Sequence, residues 1–151
     1  MDMIEVTVEQ VIRRPLAEVS RQFGDIRHHA ANRVHPKLTF EILSEEGDTI
    51  RFRQHVSLLG IRQTDEIVQK RRADGSLYSD IVSGTNEGST ITQAFAPEGD
   101  AATRVVFTMK MPAKGVKRLL KPFFAAAIRK TVRDAFAEDR FDLEERGYRP
   151  A

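Results

Sequence analysis

Apolar positions recur every second residue over most of the chain and every third or fourth near its end, and that change of period divides it. Over residues 3–12, Ile4, Val6, Val8 and Ile12 fall on one face and Glu5, Thr7 and Glu9 on the other, which predicts a half-buried strand. Pro15 fits a first helical turn, and residues 16–23 read as a short helix. Gly24 interrupts it. Asp25 can cap a second short helix running to about Asn32, and Pro36 forces the chain to turn. From residue 37 to 111 the period is two. Leu38, Phe40 and Ile42 alternate with polar neighbours, as do Ile50, Phe52 and Val56, and further strands are predicted at 61–69, 77–83, 89–95 and 103–111. Glu46-Gly47-Asp48, Leu59-Gly60, Ala73-Asp74-Gly75, Glu87-Gly88 and Pro97-Glu98-Gly99-Asp100 supply the turns. After Gly115 the period is helical to about Glu145, with Val116, Leu120, Phe124, Ile128, Thr131, Ala135 and Leu143 in one stripe. Pro122 either kinks this helix or marks its effective start.

Six consecutive strands with short connections make an antiparallel meander, and a sheet that wide twists and curls. Its apolar face must be covered, yet only one long helix and two short ones are available. One helix cannot fill the concavity of a curled sheet, so a cavity is expected between them. The expected architecture is α+β: a curved antiparallel sheet of about seven strands wrapped around a long C-terminal helix, with two short helices after the first strand, in one domain spanning residues 1–151.

The order of elements resembles the START-like, or SRPBCC, superfamily with its helix-grip fold, and the local text is similar to bacterial members of the polyketide cyclase/dehydrase-like kind. Residues 8–19 (VEQVIRRPLAEV), Asp25, residues 38–43, Arg62-Gln63-Thr64-Asp65, Ile91-Thr92-Gln93-Ala94-Phe95 and the helix over 115–143 carry the resemblance, which covers essentially the whole chain. It implies a cavity for a hydrophobic or aromatic small molecule. Members of the superfamily differ in activity, so fold alone does not assign one.

Composition narrows the chemistry. Hydrophobic residues make up 40% and charged residues 30%, which is globular, and there is no cysteine, which excludes disulfides, thiol catalysis and thiolate metal sites. The opening MDMIEVTVEQ carries acids and no apolar run, and no stretch is long and apolar enough to span a bilayer, so a cytoplasmic protein is expected. A net charge of +2 and the lack of a recognised motif argue against nucleic acid. No G-x-S-x-G, G-x-G-x-x-G or phosphate-loop pattern occurs.

Strand parity places Gln10, Gln54, Gln93 and, less directly, Gln63 and Asp65 on the apolar face, where their side chains must meet each other, water or a ligand. With His28 and Asn32 on one helix face and Phe124, Ile128 and Thr131 on the long helix, they form the candidate ligand-binding set. Asp65, Asp139 and His28 are the candidates for acid–base work, should the protein be an enzyme. No cofactor or metal is expected; the alternative is a metal held by His28, His29 and His35, since all four histidines lie between residues 28 and 55. His55 shares parity with Arg51 and Arg53 and is expected to face solvent.

The long helix carries Lys114, Lys117, Arg118, Lys121, Arg129, Lys130 and Arg133 before any acid, and then Asp134, Glu138, Asp139, Asp142, Glu144 and Glu145. That order opposes the helix dipole. Contact with an anionic membrane or an acidic partner is one reading, and pairing with acids such as Glu45, Glu46 and Asp48 the other. The leading functional expectation is binding or transport of an apolar molecule, ahead of a cyclase- or dehydratase-type enzyme and of membrane or protein contact. Oligomeric state is not legible.

Overall fold

The computed structural model describes residues 2–58 and 60–150. Strand β1 (Met3–Ile12) leads into helices α1 (Leu16–Gly24) and α2 (Ile26–Asn32). Strands β2 (Leu38–Glu46), β3 (Thr49–Leu58), β4 (Ile61–Arg71), β5 (Leu77–Gly84), β6 (Thr90–Pro97) and β7 (Thr103–Pro112) follow in a meander. Helices α3 (Val116–Leu119) and α4 (Lys121–Phe141) and a π-helical turn, Asp142–Arg146, complete the order.

The seven strands form one antiparallel sheet in the order β1-β7-β6-β5-β4-β3-β2, so the meander is extended at its last strand by the first. This is the expected helix-grip arrangement. Strict alternation sets the register of β1 on β7: Val6 lies opposite Met109, and Val8 opposite Phe107, with all four buried. The sheet is bent by register shifts in the β2–β3 pair between Ile42 and Ser44 and in the β4–β5 pair between Glu66 and Ile67. The core gathers the inward faces of β1 and β7, Val19 and Phe23 of α1, and Ile128, Val132 and Phe136 of α4. Leu59, part of the expected Leu59-Gly60 turn, lies outside the described residues.

The expected single C-terminal helix is divided. Leu120 takes φ −112° and ψ 33°, which ends α3, and Pro122 sits at the first turn of α4, where its missing N–H is no loss. The proline therefore marks a start and not a kink. The apolar stripe shifts with it: Val116 is 62% and Leu120 47% exposed, and the buried face begins at Ile128 and continues through Val132, Phe136 and Asp139. Among the described residues no helix is long and apolar enough to cross a membrane.

Candidate functional site

Between the inner face of the sheet and α4 lies a cavity of about 200 Å³. Its apolar walls come from Phe40, Phe52, Ile67, Ile81, Phe107 and Met109 of the sheet, Phe23 and Ile26 of α1 and α2, and Ile128, Val132, Ala135 and Phe136 of α4. Edge-to-face contacts stiffen this lining, with Phe23 against Phe136 at 5.8 Å and Phe40 against Phe52 at 5.9 Å between ring centroids.

Two polar groups interrupt the walls. The first is on the sheet. Gln63, Asp65, Ile67 and Gln69 alternate inward along β4, and Gln54 of β3 lies opposite Asp65. Asp65 is buried, and both its oxygens are taken by one residue: Asn86 donates its backbone N–H to Oδ1 (2.8 Å) and its side-chain Nδ2 to Oδ2 (2.7 Å). Asn86 Nδ2 also reaches Gln63 Oε1 at 2.9 Å. Asp65 therefore clasps the β5–β6 connection to the cavity wall. Gln54, Gln69 and Gln93 line the cavity as well, and their side chains make no hydrogen bond among the described residues. These amides are available to a ligand.

The second group joins the short helices to the end of α4. Asp25 caps α2 by accepting from the His28 N–H at 3.0 Å. This sets His28 and His29 on the buried side of α2, and His35 follows after the turn. His28 Nε2 meets Asp142 Oδ2 at 2.7 Å, His29 Nε2 meets Asp139 Oδ1 at 2.8 Å, and His35 Nδ1 meets Glu138 Oε1 at 2.9 Å. Gln22 Nε2 donates to both Asp139 Oδ1 and Asp142 Oδ2, each at 3.0 Å. Burial alone would push the His35 ring down, but the charge and hydrogen bonds of Asp139 and Glu138 override it and hold the ring at about 9. Burial would likewise raise Asp139, yet the neighbouring His35 and His29 keep its carboxyl well below the usual range. Tyr148 donates to Asp25 Oδ2 at 2.7 Å; burial and this acidic partner push its hydroxyl up.

Of the residues singled out in the sequence, Gln54, Gln63, Asp65, Gln93, Ile128, Thr131, Asp139, His29 and His35 line the cavity. Others do not. Gln10 is half-buried on β1 opposite Val105, away from the lining. Asn32 is exposed and donates to His28, whose ring is buried behind the wall against Asp142. Phe124 packs on the outer part of the core. His28 accordingly stands apart from His29, His35 and Asp139, whose ligand-type atoms all lie within 4.8 Å of one another. His55 bonds Thr64 across β3 and β4 at 2.8 Å, outside the lining. Asn86, Gln22, Glu138 and Asp142 belong to the two polar groups and were not foreseen. Asn86 sits in a turn where strand parity says nothing, and the others pair across more than a hundred residues of sequence.

The charge order of the last helix has a structural cause. Its late acids meet partners from the first half of the chain and from α4 itself: Glu144 meets Arg13 and Arg140, Asp139 and Asp142 meet His29 and His28, and Glu138 meets His35. Of the early bases, Arg118 and Lys121 pair with Asp2 and Lys130 with Asp134, while Glu45 goes to Arg27. Leu119 is 81% and Phe123 56% exposed on the same segment.

The fold has many relatives of low sequence identity. A protein of Thermus thermophilus superposes with a TM-score of 0.81 at 20% identity, covering 90% of this chain and 94% of its own. The Zhui aromatase/cyclase of Streptomyces sp. R1128 gives 0.78 at 16% identity, covering 97% and 99%. A START superfamily protein of Mycobacterium smegmatis gives 0.75 at 14%, covering 95% and 97%. These likenesses establish the fold. In sequence, no curated protein matches the chain. Residues 3–141 match the model of the family described as polyketide cyclase / dehydrase and lipid transport, and with the helix-grip fold around them the chain belongs to that family.

Proposed function

We propose that this protein binds a small apolar molecule of one or two rings, carrying at least one polar substituent, in the cavity between the sheet and α4. The observation that carries this reading is an aromatic and aliphatic chamber whose inward amides, Gln54 and Gln93, have no partner among the described residues. A few polar groups in an apolar pocket orient a ligand rather than hold it. Size sets the class. The cavity of about 200 Å³ exceeds the ~150 Å³ apolar cavity that admits benzene and falls below the ~300 Å³ at which drug-sized ligands begin to fit.

Ala135 lies on the cavity wall of α4, and replacing it with phenylalanine puts a ring into the ligand's space. With 2-naphthol as the fluorescent probe, the wild type is expected to bind one equivalent, and Ala135→Phe to bind at least about tenfold more weakly, a loss of ~1.4 kcal/mol or more, with an unchanged far-UV circular dichroism spectrum. Equal binding by a folded Ala135→Phe variant would place the probe elsewhere.

A second reading, turnover of an aromatic or polyketide-like substrate as in the aromatase/cyclase among the structural relatives, is favoured by one observation: the buried His29, His35 and Asp139 form part of the same cavity wall. Conversion of a supplied β-keto aromatic precursor that vanishes in His29→Gln would move the assignment from binding to catalysis.

A further inference from the structure

The two histidines on the cavity wall have more acceptors than protons to give. His29 Nδ1 faces the backbone carbonyl oxygen of Asp25 at 2.8 Å, a group that only accepts, so this nitrogen carries hydrogen. His35 Nδ1 faces the Glu138 carboxylate at 2.9 Å and carries hydrogen for the same reason. Both remaining nitrogens lie beside one oxygen: Asp139 Oδ1 is hydrogen-bonded to His29 Nε2 at 2.8 Å and sits 3.4 Å from His35 Nε2. Gln22 Nε2 donates to that oxygen too. The two rings stack with centroids 5.2 Å apart and planes inclined by 27° beside that carboxylate, and all three side chains are buried.

His28 shows the contrast. Asn32 Nδ2 donates to its Nδ1 at 3.1 Å, so Nε2 holds the hydrogen and gives it to Asp142; a neutral ring satisfies every contact.

We propose that His29 Nε2, His35 Nε2 and Asp139 Oδ1 bind a divalent transition-metal ion whose remaining coordination positions face the cavity. One such ion accepts both nitrogen lone pairs and the carboxylate together. The anchoring of each Nδ1, by the Asp25 carbonyl and by Glu138, is the outer support that orients metal-bound imidazoles. The spacing is suitable: four-coordinate bonds of about 2.0–2.1 Å set ligand atoms roughly 3.3 Å apart, the two nitrogen–oxygen separations, 2.8 and 3.4 Å, bracket that value, and all three atoms lie within 4.8 Å of one another. Two imidazoles and one carboxylate suit Zn²⁺ or Fe²⁺ rather than Mg²⁺ or Ca²⁺. The site stands independently of whether the cavity takes an aromatic ligand.

The test is titration of chelator-treated full-length protein with Co²⁺, read by its visible ligand-field absorption. One equivalent is expected to bind. His29→Gln and His35→Gln are expected to bind at least about tenfold more weakly, and Glu138→Gln, which leaves the three ligand atoms in place but loosens His35, to fall between them and the wild type. His28→Gln is expected to bind like the wild type. Circular dichroism checks that each variant is folded. Absence of stoichiometric uptake by the wild type would overturn the proposal, and so would uptake by folded His29→Gln equal to that of His28→Gln.

Discussion

Replacing Asp139 with leucine is expected to lower the unfolding free energy by about 3–5 kcal/mol, because it strands buried charge and donors without an acceptor. Asp139 is 4% exposed, accepts from Gln22 and His29, and pairs with His35. Leucine has the same branched set of side-chain heavy atoms and is somewhat larger, so the loss does not come from a void. At this chain length the melting temperature falls on the order of 10 °C. The same contact gives the wild type a pH dependence. In chelator-containing buffer, His35 is held at about 9 against an ordinary 6.5. A raised histidine contributes fully below 6.5 and loses its contribution as pH climbs through 9, an interval worth about 3 kcal/mol. Asp139, held low, contributes above the ordinary carboxylate value and loses that contribution on acidification. Urea unfolding at pH 6 and pH 9.5 is expected to show the wild type weakening across the interval, and Asp139→Leu nearly flat. A variant as stable as the wild type at pH 6 would show that this group of side chains does not hold α2 to α4.

Gly84→Ala is expected to cost about 3 kcal/mol or more, through both strain and collision. Gly84 adopts φ +111°, and a methyl group there would stand 2.2 Å from the Thr64 carbonyl oxygen and 2.8 Å from both Cα and Oδ1 of Asp65. Two of these atoms are backbone of the paired strand and cannot swing away. Relief requires β4 and β5 to part, which pulls Asp65 from Asn86 and disturbs the sheet-side wall of the cavity. Gly99→Ala is the control. It also has a positive φ, +72°, but open space around it, so only the conformational cost of about 1 kcal/mol applies. Equal losses for the two in urea denaturation would rule out the close approach as the cause.

Period-two and helical patterning was enough to place every strand, the two short helices and the course of α4 near their observed positions, because each has one buried face and a polar one. The break at Leu120 was not legible. Val116 and Leu120 continue the helical stripe in sequence, and only the tertiary course of α3 leaves them in solvent. The sheet half of the site was readable from parity: Gln54, Gln63 and Asp65 alternate with core residues and do face inward. Gln10 obeys the same alternation but lies on β1, where the core closes; parity gives a side, not a position along the sheet. The histidine half was visible only as a cluster in sequence. Which histidine faces the cavity depends on the Asp25 cap and on acids at the far end of the chain. Asp139 stood out as a candidate for acid–base work, and the other acids only as charges placed against the helix dipole.

The most direct test of the proposed binding site is an NMR titration of isotope-labelled protein with 2-naphthol. The account expects saturation at one equivalent, with shifts concentrated in the backbone amides of Ile128, Thr131 and Ala135 and the side-chain amides of Gln54 and Gln93. Shifts that fail to saturate, or that gather on the exposed Leu119 and Phe123 surface and leave the cavity residues unmoved, would contradict it.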